Sequence, residues 1–166
     1  ENTRAFFVES LGNPKLDVLD LEGISKHAKE AKVPFIVDNT VATPVLLNPI
    51  KHGADIVIHS LTKYIGGQGG AIVDAGTFDW SSGKFPEFTE PSAGYHGLKY
   101  YETLGASSFI FKLILEGLRD FGGALSPTNA FHIIQGLETL SVRIQQHSKN
   151  ALALATWWRH KKKLLG

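Results

Sequence analysis

Three polar segments of this chain have residue types and spacings that could do chemistry. The first is Ser60-Leu61-Thr62-Lys63, directly after the apolar run Ile56-Val57-Ile58. Serine and threonine hydroxyls can each donate to a phosphate oxygen. A lysine held partly out of water becomes a nucleophilic amine. The same tetrad also reads as a surface loop with a solvated lysine. The second is Asp38, between Phe35-Ile36-Val37 and Asn39-Thr40. It reads either as a turn or cap carboxylate or as the fixed partner of a buried cation, since opposite charges attract strongly in a low-dielectric site. The third is Gly66-Gly67-Gln68-Gly69-Gly70. Glycines let backbone approach a ligand closely, and they also make tight turns. The cluster matches neither the P-loop nor the dinucleotide pattern. Together these segments offer a carboxylate, two hydroxyls and an amine within reach of one small ligand.

The elements that must position them alternate between strand and helix. Ala5 to Ser10 is a short apolar run stopped by Gly12-Asn13-Pro14, as for a buried strand and its loop. Asp20 to Lys32 reads as a helix, with Leu21, Ile24, Ala28 and Ala31 at helical spacing and Asp20 as cap. Phe35-Ile36-Val37 is a second strand, and Leu46 to His52 a short helix or turn ended by Gly53. Ala54 to Ile58 and Ala71-Ile72-Val73 are further strands. This alternation predicts an α/β fold with a mostly parallel sheet flanked by helices. Strands without period-two alternation agree, because parallel strands are covered on both faces. Ligands bind such sheets at the carboxyl ends of the strands, where Glu9 to Asn13, Asp38 to Thr40 and His59 to Lys63 all fall. Thr77 to Gly97 reads as a long functional loop or insertion. Tyr100 to Gly122 and Ala130 to Trp158 read as helical, with Ser126 or Thr128 capping the last helix. Ile133, Leu137, Leu140, Ile144 and His147 share one face of that helix, as a core stripe would.

Composition narrows the function classes. The 166 residues carry a formal charge of +1 and 20% charged residues, which points to neither nucleic acid nor an acidic membrane surface. The local run Arg159, Lys161, Lys162 and Lys163 reads as a solvated end. There is no cysteine, so disulfides and thiolate sites are excluded. No histidine pair has metal-ligand spacing with a carboxylate partner, and no metal site is expected. No apolar stretch has the length of a membrane span, and a soluble cytoplasmic protein is the expectation. The chain opens on Glu1-Asn2-Thr3-Arg4 and reads as part of something longer.

Two long motifs carry a family resemblance. Val37-Asp38-Asn39-Thr40-Val41-Ala42-Thr43-Pro44 and Gly53 through Gly67 closely resemble the signature of the Cys/Met-metabolism enzymes that depend on pyridoxal phosphate (PLP), of fold type I. Similar stretches are Glu9 to Pro14, Leu125-Ser126-Pro127, and Gly136 to Leu140 with Arg143, His147 and Asn150. The resemblance implies that Lys63 forms the Schiff base with PLP and later shuttles the substrate α-proton. It implies that Asp38 pairs with the pyridine nitrogen, and that Ser60 and Thr62 bind the phosphate. Asn13 is implied near the cofactor hydroxyl or the substrate carboxylate, and Thr40 near the ring. Pro91 to Gly97 resembles the O-acetylhomoserine sulfhydrylase subgroup. That implies γ-replacement on an amino-acid substrate: acetate leaves O-acetylhomoserine, and sulfide or a thiol adds to give homocysteine or methionine. A homotetramer with shared sites is also implied.

The sequence departs from that pattern in three places. The glycine-rich loop is shorter than usual, with Gln68 near the place of a histidine. The family's upstream half and its downstream carboxylate-binding arginine do not appear. Residues 1–125 thus read as the central part of a PLP-binding large domain, and 126–166 as a long helix leading toward an incomplete C-terminal domain. Another family member, such as a cystathionine γ-synthase or γ-lyase or a methionine γ-lyase, or a non-catalytic PLP-binding fragment, are the competing readings.

Overall fold

The computed structural model describes residues 2–165, with side chains through Lys161. A four-stranded sheet in the order β1-β2-β3-β4 lies at its centre. β1 (Phe6–Glu9), β2 (Phe35–Asp38) and β3 (Ile56–Ser60) are parallel neighbours, and β4 (Gly70–Asp74) runs antiparallel to β3. The antiparallel pairing has a simple cause. A parallel return needs a crossover of about a dozen residues, and only residues 61–69 separate β3 from β4. β3 also starts and ends two residues later than its apolar run suggests. The ladder with β4 continues through His59↔Ala71 to Ser60↔Gly70, and so draws both polar residues into the strand.

The strands are apolar on both faces because both faces are covered. Phe35, Val37 and Val57 pack with Leu21 and Ala28 of α1 (Leu21–Ala31). Asp20 caps that helix, its Oδ1 accepting from the Gly23 amide at 3.0 Å, as expected from its place before the apolar-periodic run. On the opposite face Ile56 joins Trp80, Phe85, Phe88 and Tyr100, with Ile36 and Ile58 beside them. Trp80 stacks on Phe88 at 4.3 Å and on Phe109 at 5.2 Å between ring centroids. The segment read as a loop, residues 77–97, therefore builds the second hydrophobic layer. Its one helical turn of note is α3 (Pro86–Thr89).

The helical part is more broken than its periodicity predicts. The chain forms a single turn, α2 (Thr43–Leu46), before a 3-10 turn over Pro49–His52 that ends at Gly53 with φ 90°. Further on come α4 (Tyr100–Leu104) and α5 (Ser108–Lys112), separated at Gly105, whose φ is 51°. A π-helical stretch, Leu113–Arg119, continues α5. Lys112 joins these pieces: its ammonium lies 4.5 Å from the Tyr100 ring and 2.6 Å from Glu116, to which the Tyr100 hydroxyl also donates at 2.9 Å.

The last helix, α6 (Pro127–Leu165), starts on a proline, with Ser126 accepting from the Asn129 amide at 3.2 Å. Ile133, Leu140 and Ile144 are buried as expected, but Leu137 and His147 are exposed. The seam runs through Gly136 instead, where α6 comes so close to the chain after Lys63 that a Cβ would overlap the Ile65 carbonyl. Arg159 and Lys161 are exposed, while the side chains of Lys162 and Lys163 lie outside the described residues. Among the described residues no helix is long and apolar enough to cross a membrane.

One buried amide ties the strand ends together. Asn39 is fully buried. Its backbone N–H donates to the Ile58 carbonyl at 2.9 Å, and its Oδ1 accepts from the buried Ser10 hydroxyl at 2.8 Å. Its Nδ2 donates to the carbonyls of Thr43 at 3.1 Å and Leu47 at 2.9 Å. β1, β2, β3 and the chain leaving β2 thus meet on one residue. Asn39→Leu, of similar volume, strands a hydroxyl and two carbonyls away from water. It should cost roughly 3–5 kcal/mol in a urea melt.

His59 is buried next to this network, and its Nδ1 has no partner among the described residues. Burial pushes its pKa below the ordinary 6.5, against the opposing pull of Asp38 and the Asn39 backbone. The unfolded chain therefore takes up a proton first as pH falls. Stability should be full above the ordinary value and decline below it. Unfolding free energies measured near about pH 7.5 and about pH 5.5 should differ for the parent and converge in His59→Gln.

Candidate functional site

The parallel register brings three strand ends to one edge. Glu9 pairs with Asp38, and Asp38 with Ile58, so β1 and β2 end side by side and β3 runs two residues further, to Ser60. Beyond them lies an open cleft of ≈ 570 Å³ lined by Glu9, Leu11, Asn13, Asp38, Thr40, Val41, Ser60, Lys63 and Tyr64. It sits where ligands bind in sheets of this kind.

Alternation along the end of β2 decides which side chain does what. Asn39 turns into the core, and Asp38 and Thr40 are half-buried at the cleft. Asp38 Oδ1 accepts from the Thr40 amide at 2.9 Å and from the Thr40 hydroxyl at 2.5 Å. The Thr40 oxygen in turn accepts from the Ser60 amide at 2.8 Å. A relay of Ser60 N–H, Thr40 hydroxyl and Asp38 carboxylate therefore spans two strand ends and fixes the carboxylate's orientation. Among the described residues no group bonds to Asp38 Oδ2. An N–H⁺ on a bound ring would find an acceptor there.

The hydroxyls of Ser60 and Thr62 lie 2.6 Å apart. They form a compact pair able to turn two donors toward one anionic oxygen. Lys63 is exposed and makes no ion pair among the described residues. The sequence reading places this lysine partly out of water; the structure leaves its amine at the open rim of the cleft.

Of the residues singled out from sequence, Asn13, Asp38, Thr40, Ser60 and Lys63 share the cleft. Asn13 lines the cleft beside Glu9, to whose Oε2 its backbone N–H donates at 3.0 Å. Thr62 does not line this cleft. It faces a neighbouring hollow with Gly66, Gly67, Gln68, Thr128, Asn129 and His132, and reaches the site through Ser60. Sequence reasoning missed Asn39 and Tyr64 as individuals. Asn39 carries no signal beyond its place after Asp38, and Tyr64 none beyond its place after Lys63. Among the described residues no group of three histidines and carboxylates could hold a metal ion.

The donor set suits a molecule with a phosphate, a protonatable ring and an aldehyde. Hydroxyls meet the phosphate, a carboxylate meets the ring cation, and a primary amine meets the carbonyl carbon. The residues present therefore fit PLP.

The chain is 53% identical to an O-acetyl-L-homoserine sulfhydrylase of Leptospira meyeri, over 93% of this chain and 38% of that protein. It is 51% identical to a homocysteine synthase of Schizosaccharomyces pombe, over 95% of this chain and 38% of that protein. It superposes on a crystal structure of an O-acetylhomoserine (thiol)-lyase from Campylobacter jejuni with a TM-score of 0.88 and 44% identity, covering 93% of this chain and 39% of that one. In that crystal a lysine carries the cofactor as N'-pyridoxyl-lysine-5'-monophosphate. The chain thus spans about 38% of the length of the curated relatives it matches. Residues 1–165 match the family of Cys/Met metabolism PLP-dependent enzymes, and the chain belongs to that family, of fold type I.

Proposed function

We propose that this chain supplies the cofactor-binding core of a PLP-dependent transferase that replaces the acetyloxy group of O-acetylhomoserine with a sulfur nucleophile. The observation that carries the reading is the convergence of Asp38, Thr40, Ser60 and Lys63 on one cleft, with Thr62 bonded to Ser60. The similarity to sulfhydrylases and homocysteine synthases supports the substrate class. In the net reaction the Cγ–O bond breaks and acetate leaves. A Cγ–S bond forms from sulfide or a thiol, giving homocysteine or methionine.

PLP, when bound, supplies the electron sink that makes γ-elimination accessible. The chain's own residues have separable tasks. Lys63 holds the cofactor through its Nζ and then moves the substrate α-proton as a base. Asp38, oriented by Thr40, keeps the ring nitrogen protonated. Ser60 and Thr62 hold the phosphate. Asn13, which also lines the cleft, serves the cofactor hydroxyl or the substrate carboxylate.

On this reading residues 1–125 are the central part of a PLP-binding large domain, and 126–166 the helix that leads toward a second domain. We place the protein in the cytoplasm as a homotetramer. Support for association comes from the exposed row Phe111, Ile114, Leu118 and Phe121.

Two substitutions test the assignment in the full PLP-loaded protein. Lys63→Ala should lose the absorbance band that borohydride reduces. Acetate release from O-acetylhomoserine with sulfide should fall by about 10²–10⁴-fold. A reducible band unchanged in the variant sinks the role of Lys63. Asp38→Asn keeps the shape and removes the charge. It should bind PLP yet release acetate about 10²-fold more slowly, and an undiminished rate would remove Asp38 from the mechanism.

A further inference from the structure

The turn that carries Lys63 is gripped from α6. The Arg143 guanidinium uses three of its nitrogens. Nη1 donates to the Tyr64 carbonyl at 2.8 Å, Nη2 to the Gly136 carbonyl at 2.8 Å, and Nε to Thr139 Oγ1 at 3.0 Å. Tyr64 is the residue next to Lys63 and lines the cleft. The bond to its carbonyl spans 79 residues of sequence, so it is a tertiary contact and not part of a helix ladder. The other two bonds lie within α6 and hold the planar fork in one orientation before it reaches across.

Three further contacts bring the same turn against the same helix. Gly136 has no Cβ, and the Ile65 carbonyl occupies the space one would fill. Gly67 packs on Ile133 in the same way. The rings of Tyr64 and His147 lie 5.8 Å apart. Within the turn, the amides of Gly66 and Gly67 both donate to the Leu61 carbonyl, at 2.9 and 3.0 Å. The backbone from Leu61 to Gly67 is therefore closed on itself and held by α6, with one charged clamp. Lys63 itself makes no ion pair among the described residues. Its direction into the cleft depends on that backbone.

We propose that Arg143 is a positioning residue: it holds the Tyr64 carbonyl, and through it sets the place of Lys63 relative to Asp38 and Ser60. The inference rests on the reading of Lys63 as the cofactor lysine. It adds a residue some 80 positions away that touches neither cofactor nor substrate.

The test uses the full PLP-loaded protein with Arg143→Ala, Arg143→Lys and Thr139→Val. Three quantities are read: amide hydrogen exchange at Gly66 and Gly67, the PLP dissociation constant by absorbance titration, and the unfolding midpoint. Arg143→Ala should speed exchange at those two amides and weaken PLP binding by about tenfold, the loss of one charge-assisted hydrogen bond. Lysine cannot fork, so Arg143→Lys should recover only part of both. Thr139→Val should fall between parent and alanine variant. If Arg143→Ala does not fold, the lysine and valine variants decide by the same local readouts. Exchange and PLP affinity unchanged from the parent would overturn the proposal. So would exchange rising evenly through the sheet and α6, which is a general loss of stability. A parent protein that borohydride does not label at Lys63 overturns the functional reading and this inference together, and does so before any substitution is made.

Discussion

The site rests on a buried amide that never touches it. Asn39 accepts from Ser10 after β1, donates to Ile58 in β3 and spans the turn from Thr43 to Leu47. An amide in a fully buried setting is stabilising only when all its bonds are made, and here each is. That requirement fixes the three strand ends relative to one another. Asp38 and Thr40, its chain neighbours, are then carried to the cleft by strand alternation. The relay from Ser60 to Thr40 to Asp38 can form because β3 continues two residues past Ile58, the partner of Asp38, and so brings Ser60 beside Thr40.

The succession of strands and the sheet edge that carries the polar residues are legible from sequence because they follow from local signals. Apolar runs without alternation gave the covered strands, Asp20 gave the start of α1, and the polar residues after each run gave the site edge. Other features depend on distant pairing and have no local mark. β3 reaches Ser60 because β4 offers Gly70 as its partner. The 77–97 segment has the glycines and prolines of a loop, yet Trp80, Phe85 and Phe88 in it cover half of the sheet. The stripe on α6 holds at Ile133, Leu140 and Ile144 and fails at Leu137 and His147. Periodicity finds apolar side chains, while this seam is centred on a glycine and flanked by an arginine.

The site's electrostatics are those of a carboxylate and an amine lining one open cleft. Asp38 is partly satisfied by Thr40, through one of its two oxygens. Among the described residues Lys63 has no carboxylate partner that would compete for its amine. The arrangement favours a ligand that is cationic at one end and electrophilic at the other.

The two sides of the turn after Lys63 differ in how they are held. From Leu61 to Gly67 the backbone is closed on the Leu61 carbonyl and clamped by Arg143 and Gly136. From Gln68 to Gly70 the chain only returns to the ladder, through the Leu61 amide and the Gly69 carbonyl. Length can therefore vary between Gly67 and Gly70 as a bulge at the end of the hairpin, leaving the lysine in place. An insertion or deletion between Ser60 and Gly67 would have no such freedom, because it would shift the amine along the cleft. A change of length between Gly67 and Gly70 falls in the permissive half, and the constraint on chain length lies on the lysine's side.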